Sequence, residues 1–165
     1  RDMEVKLEKP ETAWIGIDQS YSGFGLVVLD GEGNEEFYLW KFKNSGSEAG
    51  RLQEIRDKLF AFFIEQRAAH KNCHMVMEGY AHGSRFNREK LGELGGIVKL
   101  SWYDAFSTDP TIVPPTVLKK YWTGKGTASK DDMLAAAKIK NSSITNHNIA
   151  DAYALAHYLK ENNDA

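Results

Sequence analysis

The hydrophobic period of this chain changes near residue 49, and that change limits its possible folds more than any other feature. Before it lie three short segments with strand character, Ala13–Asp18, Phe24–Leu29 and Glu36–Phe42, the first a buried-type apolar run and the others β-branched and aromatic. Ser20-Tyr21-Ser22-Gly23 and Asp30-Gly31-Glu32-Gly33-Asn34 join them, both with turn chemistry. Connections this short imply antiparallel neighbours. From about Ala49 to Ala69, Leu52, Ile55, Leu59, Phe62, Phe63 and Ile64 recur at helical spacing instead. A fourth strand is predicted at Cys73–Glu78, then a polar loop from Gly79 to Asn87 and a helix from about Arg88 to Phe106. Gly92, Gly95 and Gly96 inside that helix each cost about 1 kcal/mol of helix propensity, which points to close backbone approach, to the sheet or to a second subunit. Thr111-Ile112-Val113 is a short strand closed by Pro114-Pro115, and a short helix carries Val117, Leu118, Tyr121 and Trp122. Ser129 with Asp132 resembles a capping box for a helix through Lys138. The last helix runs from about His147 to Lys160. The order βββαβαβααα predicts an α/β fold, a mixed five-stranded sheet with its first three strands antiparallel and helices on both faces. Trp14, Trp40, Trp102 and Trp122 read as core.

Three acids stand at conspicuous places in that order. Asp18 ends the run Ala13-Trp14-Ile15-Gly16-Ile17, Glu78 ends Cys73-His74-Met75-Val76-Met77, and Asp151 lies one turn into the final helix. An acid at the end of a buried strand costs several kcal/mol if unpaired. Carboxylates gathered without matching cations suit Mg²⁺ or Mn²⁺, hard ions that prefer oxygen ligands. The chemistry expected of such a group is metal-assisted phosphodiester hydrolysis. Taken singly, each acid also fits a structural role, as a turn cap, a strand-end ion pair or a helix first-turn acid.

A chain of 165 residues suits one domain with a proper core, and residues 1–11 read as a loosely ordered extension. No apolar run approaches the roughly 20 residues that span a bilayer, and no signal peptide is expected. One cysteine, Cys73 in a predicted strand, fits a reducing cytoplasm. The formal net charge of −2 argues weakly against a nucleic-acid partner. Its distribution argues the other way, because residues 111–130 carry Lys119, Lys120, Lys125 and Lys130 and no acid. Such a stretch binds phosphate even in an acidic chain.

The blocks resemble the RuvC family of Holliday junction resolvases, within the ribonuclease H-like superfold. Trp14-Ile15-Gly16-Ile17-Asp18-Gln19-Ser20 with Gly23-Phe24-Gly25 is similar to that family's opening strand-turn-strand, and Met77-Glu78 with Leu91-Gly92-Glu93-Leu94-Gly95-Gly96 to its second block. Val117-Leu118-Lys119 with Gly124-Lys125-Gly126-Thr127-Ala128-Ser129-Lys130 resembles the basic block, and Ile149-Ala150-Asp151-Ala152-Tyr153-Ala154-Leu155-Ala156 the last. Four blocks in order, from about Ala13 to His157, carry the resemblance. It implies a structure-selective endonuclease that resolves four-way DNA junctions in a bacterial or phage-infected cytoplasm, as a homodimer, with two Mg²⁺ per site for which Mn²⁺ substitutes. Asp18 would bridge the two ions while Glu78 and Asp151 hold one each. Lys119 and Lys130 match lysines the family uses beside its active site, with Lys130 counted as catalytic. Lys120 and Lys125 would touch the DNA backbone, while Tyr80, Arg85 and Phe86 fall where the family places residues that probe the junction centre.

Two departures are visible. Gln19 stands where the family usually has Pro, which need not affect chemistry. Asn148 stands where an Asp or His usually precedes the final Asp by three residues; it shares a helix face with Asp151 and joins the candidate ligands as a neutral one. His147, i to i+4 with Asp151, is an alternative ligand, and Asn146 is another position where an Asp would be unsurprising. The rival readings are a general branched-DNA or RNA–DNA hybrid nuclease, a catalytically weakened junction-binding protein, and a sugar-kinase or actin-type ATPase, which would need a longer, two-domain chain.

Overall fold

The computed structural model describes residues 11–43, 46–79 and 85–162, the side chains of 85–88 excepted. The element order is β1 (Thr12–Asp18), β2 (Phe24–Asp30), β3 (Glu35–Trp40), α1 (Glu48–Ala69), β4 (Asn72–Glu78), α2 (Arg85–Phe106), β5 (Thr111–Val113), α3 (Pro115–Thr123), α4 (Lys130–Lys140) and α5 (His147–Asn162). The predicted order is reproduced. The extension expected at residues 1–11 falls almost wholly outside the described residues.

The strands form one sheet in the order β3-β2-β1-β4-β5. β1 pairs antiparallel with β2, and β2 with β3, as their two short turns require. β4 lies parallel to β1 and to β5, and α1 and α2 make the crossovers. Helices cover both faces, which is why β2 is buried along its whole length and reads as a continuous apolar run. On one face Ile15, Ile17, Met75 and Met77 pack with Ile55, Leu59 and Phe63 of α1 and Leu94, Val98 and Trp102 of α2. On the other, Val27, Leu29 and Val76 meet Tyr153, Leu155 and Ala156 of α5, with α3 and α4 outside. Among the tryptophans, Trp102 and Trp122 are buried, while Trp14 and Trp40 are only partly buried against the two clusters.

Local chemistry sets the helix ends. Ser47 caps α1 by accepting a hydrogen bond from the Gly50 amide at 3.0 Å. Pro115 opens α3 and Gly124 closes it at φ 87°, a left-handed position that favours glycine. Ser129 and Asp132 form the reciprocal capping box, Asp132 N–H to Ser129 Oγ at 3.1 Å and Ser129 N–H to Asp132 Oδ2 at 3.0 Å. α2 begins at Arg85, three residues before its predicted start, since its first turn carries no apolar repeat.

Of the glycines expected in α2 to mark close approach, to the sheet or to a second subunit, Gly95 is buried and the other two do not touch the sheet. A Cβ on Gly92 or Gly96 would meet nothing within 4 Å, so neither is pressed on the sheet. The close approach lies instead under α5. A Cβ on Gly16 would stand 2.1 Å from the Ala152 carbonyl oxygen, and one on Gly25 2.6 Å from that of Asn148. Two small residues on the sheet and the run of alanines on α5 thus let that helix lie directly against the backbone of β1 and β2. Tyr153 fixes it laterally by donating a hydrogen bond to one carboxylate oxygen of Glu35, and Asn141, which ends α4, donates to the other.

Candidate active site

Side chains alternate along a strand, and that alternation decides where the acids point. In β1, Ile15 and Ile17 face α1 and α2, so Gly16 and Asp18 face α5. In β4, Met75 and Met77 take the α1 face and Val76 the other, which puts Glu78 on the α5 side too. The parallel register pairs Ile17 with Met77, so Asp18 and Glu78 leave neighbouring strands at the same edge and on the same face. α5 enters over that edge and presents Asp151 from its first turns. One carboxylate oxygen from each of Asp18, Glu78 and Asp151 lies within 4.8 Å of the others, and no other metal-competent cluster occurs among the described residues. The three positions singled out in the sequence meet at one point.

They line a cleft of about 340 Å³ together with Gln19, Ser20, Lys119, Lys130 and Asn148. Three unneutralised acids in such a place resist ionisation. Asp18 is held well above the usual carboxylate range, first by burial and then by Asp151 and Glu78, with Lys130 opposing. Burial raises Glu78 to about 7, Asp151 adding to the rise and Lys119 opposing it. Burial raises Asp151 to about 6 against the pull of Lys130, His147 and Lys119. Lys119 and Lys130, with His147 acting on Asp151, are therefore the cationic groups that the acids feel, while Lys120 and Lys125 are exposed and lie outside the cleft lining.

The remaining candidates sort as follows. Asn148 lines the cleft, its amide packed over Gly23, where a Cβ would stand 2.4 Å from Nδ2. Asn146 has a structural role: its Oδ1 accepts from the amides of Asn148 at 2.8 Å and Ile149 at 3.1 Å, which makes it the N-cap of α5. His147 turns away from the carboxylates, its Nε2 2.9 Å from Asp131 Oδ1, and ties the starts of α4 and α5 together. Tyr80 lies outside the described residues, as do the side chains of Arg85 and Phe86. Sequence reasoning gave no site role to Ser20, which lines the cleft, and passed over Gln19 as a harmless departure. Their adjacency to Asp18 was the available signal.

A cluster of three half-buried carboxylates suits divalent cations. Without them, the raised carboxyls bind protons more tightly in the folded than in the unfolded chain, so stability is full below about pH 4 and is lost as pH rises towards about 7. The ion-free protein is expected to melt lower at pH 8 than at pH 5, by on the order of a few kcal/mol in unfolding free energy. Saturating Mg²⁺ should restore most of that at pH 8 and little at pH 5, as thermal melts in EDTA and in Mg²⁺ would show. A pH-independent ion-free melt would mean the three acids are not ionising against each other.

The sheet order, the crossovers and the acids at one edge define a ribonuclease H-like fold. RuvC of Thermus thermophilus superimposes with a TM-score of 0.68 at 19% identity, over 91% of this chain and 95% of that one. The same organism's RuvC in complex with Holliday junction substrate gives 0.67 at 18%, over 88% and 89%. In sequence, the crossover junction endodeoxyribonuclease RuvC of Rickettsia africae is 29% identical over 150 residues, 87% of this chain and 93% of that protein. That of Rickettsia bellii is 28% identical over the same shares. No family model matches the chain. In sequence and in fold the chain is thus similar to RuvC proteins along most of its length. No helix among the described residues is long and apolar enough to cross a membrane.

Proposed function

We propose that this protein is a divalent-cation-dependent endonuclease that resolves four-way DNA junctions. The observation that carries the reading is the convergence of Asp18, Glu78 and Asp151 in a cleft walled by Lys119 and Lys130. Support comes from relatives named crossover junction endodeoxyribonuclease and from a structural neighbour described with Holliday junction substrate. Asp18, on the central strand, would hold the cations together with Glu78 and Asp151, and Asn148 would add a neutral amide oxygen. Mg²⁺, or Mn²⁺ in its place, supplies the Lewis-acid chemistry of phosphodiester hydrolysis, activating water and stabilising the leaving 3′ oxygen. Lys119 and Lys130 hold the scissile phosphate and offset the charge that develops on it. Lys120 and Lys125 contact the backbone outside the cleft without reading sequence.

Junction resolution distinguishes this reading from a general nuclease. With Mg²⁺ the protein should cut a synthetic four-way junction at paired positions and leave a linear duplex of the same sequence intact. Equal cutting of both would select the general nuclease. Tight junction binding without cutting would select the weakened binding protein, which the neutral Asn148 favours.

Paired cuts need two active sites, and a C2 homodimer provides them. The outward stripe of α2 suits the contact: Gly92 and Gly96 leave room for a second backbone, and Leu100 and Tyr103 continue the same helix face 48% and 53% exposed. Leu100→Asp with Tyr103→Asp should convert a dimer to a monomer in sedimentation velocity and abolish paired cutting. A monomeric wild-type protein would refute the dimer, and a variant that stays dimeric would move the interface elsewhere.

A further inference from the structure

β3 forms one edge of the sheet, two strands from Asp18 on β1, and its end reaches the rim of the acidic cleft. Leu39 and the cleft-lining Asn148 flank one glycine: a Cβ on Gly23 would stand 3.7 Å from Leu39 Cδ1 and 2.4 Å from Asn148 Nδ2. Phe37, two residues earlier, packs edge-on against Tyr153 of α5 on the same side of the sheet. Trp40 and Phe42 turn the other way, into the cluster under α1 and α2. Alternation therefore sets Lys41 and Lys43 on the α5 side with Leu39. Between them, the Phe42 amide donates a hydrogen bond to the Tyr21 carbonyl at 3.3 Å, which holds both lysines beside the turn that leaves Asp18. Both are exposed, and neither forms an ion pair among the described residues. Glu48 and Glu93, which act on Tyr21, belong to α1 and α2 on the other side.

The charge along this flank has one sign. No charged residue occurs from Gln19 to Leu29, and Lys41 and Lys43 are the only ones from Phe37 to Ser47. Lys119 and Lys130 stand on the other flank, on helices that follow β5 at the far edge of the sheet. We propose that Lys41 and Lys43 form a second DNA contact, binding backbone phosphates of the strand that lies across the cleft, a few nucleotides from the bond to be cut. This rests on reading the cleft as a nuclease site. Two strand spacings put β3 about 10 Å from β1, about three nucleotide steps of 3.4 Å along one strand of a duplex. Cations on both flanks hold a polyanion across acids whose own charge repels it. Lysine, a point charge on a flexible stem, suits a phosphate that needs no fixed geometry, and such contacts set register without reading bases. The turn that joins acids to lysines offers neutral donors as well, the hydroxyls of Ser20 and Ser22.

The test is the salt dependence of binding to a labelled synthetic four-way junction in EDTA, measured on the full chain and its variants. Lys41→Ala and Lys43→Ala should each lower the slope of log affinity against log salt by about one, and the double variant by about two. At about 0.1 M salt the double variant should bind at least about tenfold more weakly. Lys41→Arg with Lys43→Arg keeps both charges and should keep the slope. Lys71→Ala, next to the start of β4 at the opposite end of the sheet, should change neither slope nor affinity. A double alanine variant with a slope within about half a unit of wild type and an affinity within about twofold, or an equal loss in Lys71→Ala, would overturn the proposal. The wild type separates the two levels. If it neither binds the junction in EDTA nor cuts it in Mg²⁺, the nuclease reading fails. If it does both while the double alanine variant binds as tightly, only this surface fails.

Discussion

Asp18→Asn is expected to lower junction cleavage by at least about a thousandfold while junction affinity stays within a few-fold of wild type. A thousandfold corresponds to about 4 kcal/mol of barrier, within the several kcal/mol that Lewis-acid stabilisation supplies. Asp18 is the acid most exposed to its neighbours' charge, raised by burial, by Asp151 and by Glu78 together. On the proposed reading, losing its charge removes the shared ligand, whereas DNA affinity is expected chiefly from lysines on α3, α4 and the loop between them. The same substitution should raise the ion-free melting temperature at pH 8, since a buried charge without a partner disappears. Gel-based cleavage and binding on one labelled junction, with a melt in EDTA, measure all three. Cleavage near the wild-type rate would remove Asp18 from the chemistry.

Gly16→Val should be nearly as damaging without touching an acid. The added Cβ alone would sit 2.1 Å from the Ala152 carbonyl oxygen and 2.7 Å from the Ala156 amide, both backbone atoms that cannot rotate away. α5 must lift from β1 or the sheet must bend, a strain of about 3 kcal/mol or more by the scale of overpacked cores. Asp151 stands one residue before Ala152, so any lift carries it away from Asp18. Chemical denaturation should show the stability loss. Cleavage should fall well beyond what the unfolded fraction explains. Full activity in the folded fraction would mean that the packing of α5 on β1 does not set the site.

Much of this was legible because each signal was local. Asp18 and Glu78 close apolar runs, and strand ends are where an α/β sheet gathers polar groups; the two short turns before residue 49 required antiparallel neighbours. The capping box at Ser129 and Asp132 was readable from two residues three apart. What escaped depended on contacts between distant segments. Gly16 looked like any small residue in a strand, and only the helix that arrives some 136 residues later (152 minus 16) makes it indispensable. Gly92 and Gly96 left two partners open, the sheet or a second subunit, and only the fold removes the first, since a Cβ on either meets nothing within 4 Å. Asn146 stood out as a place for an acid when its side chain is an N-cap, a choice between two oxygens that spacing does not separate.

The central claim is that the cleft around Asp18, Glu78 and Asp151 hydrolyses phosphodiesters in branched DNA with divalent cations. The most direct test is to assemble the protein on a labelled four-way junction in EDTA and start a single turnover by adding excess Mg²⁺. The account predicts no cutting before the addition, then paired nicks whose 5′-phosphate and 3′-hydroxyl ends a DNA ligase reseals without further treatment. Cutting in EDTA, or ends that ligase cannot join, would contradict it.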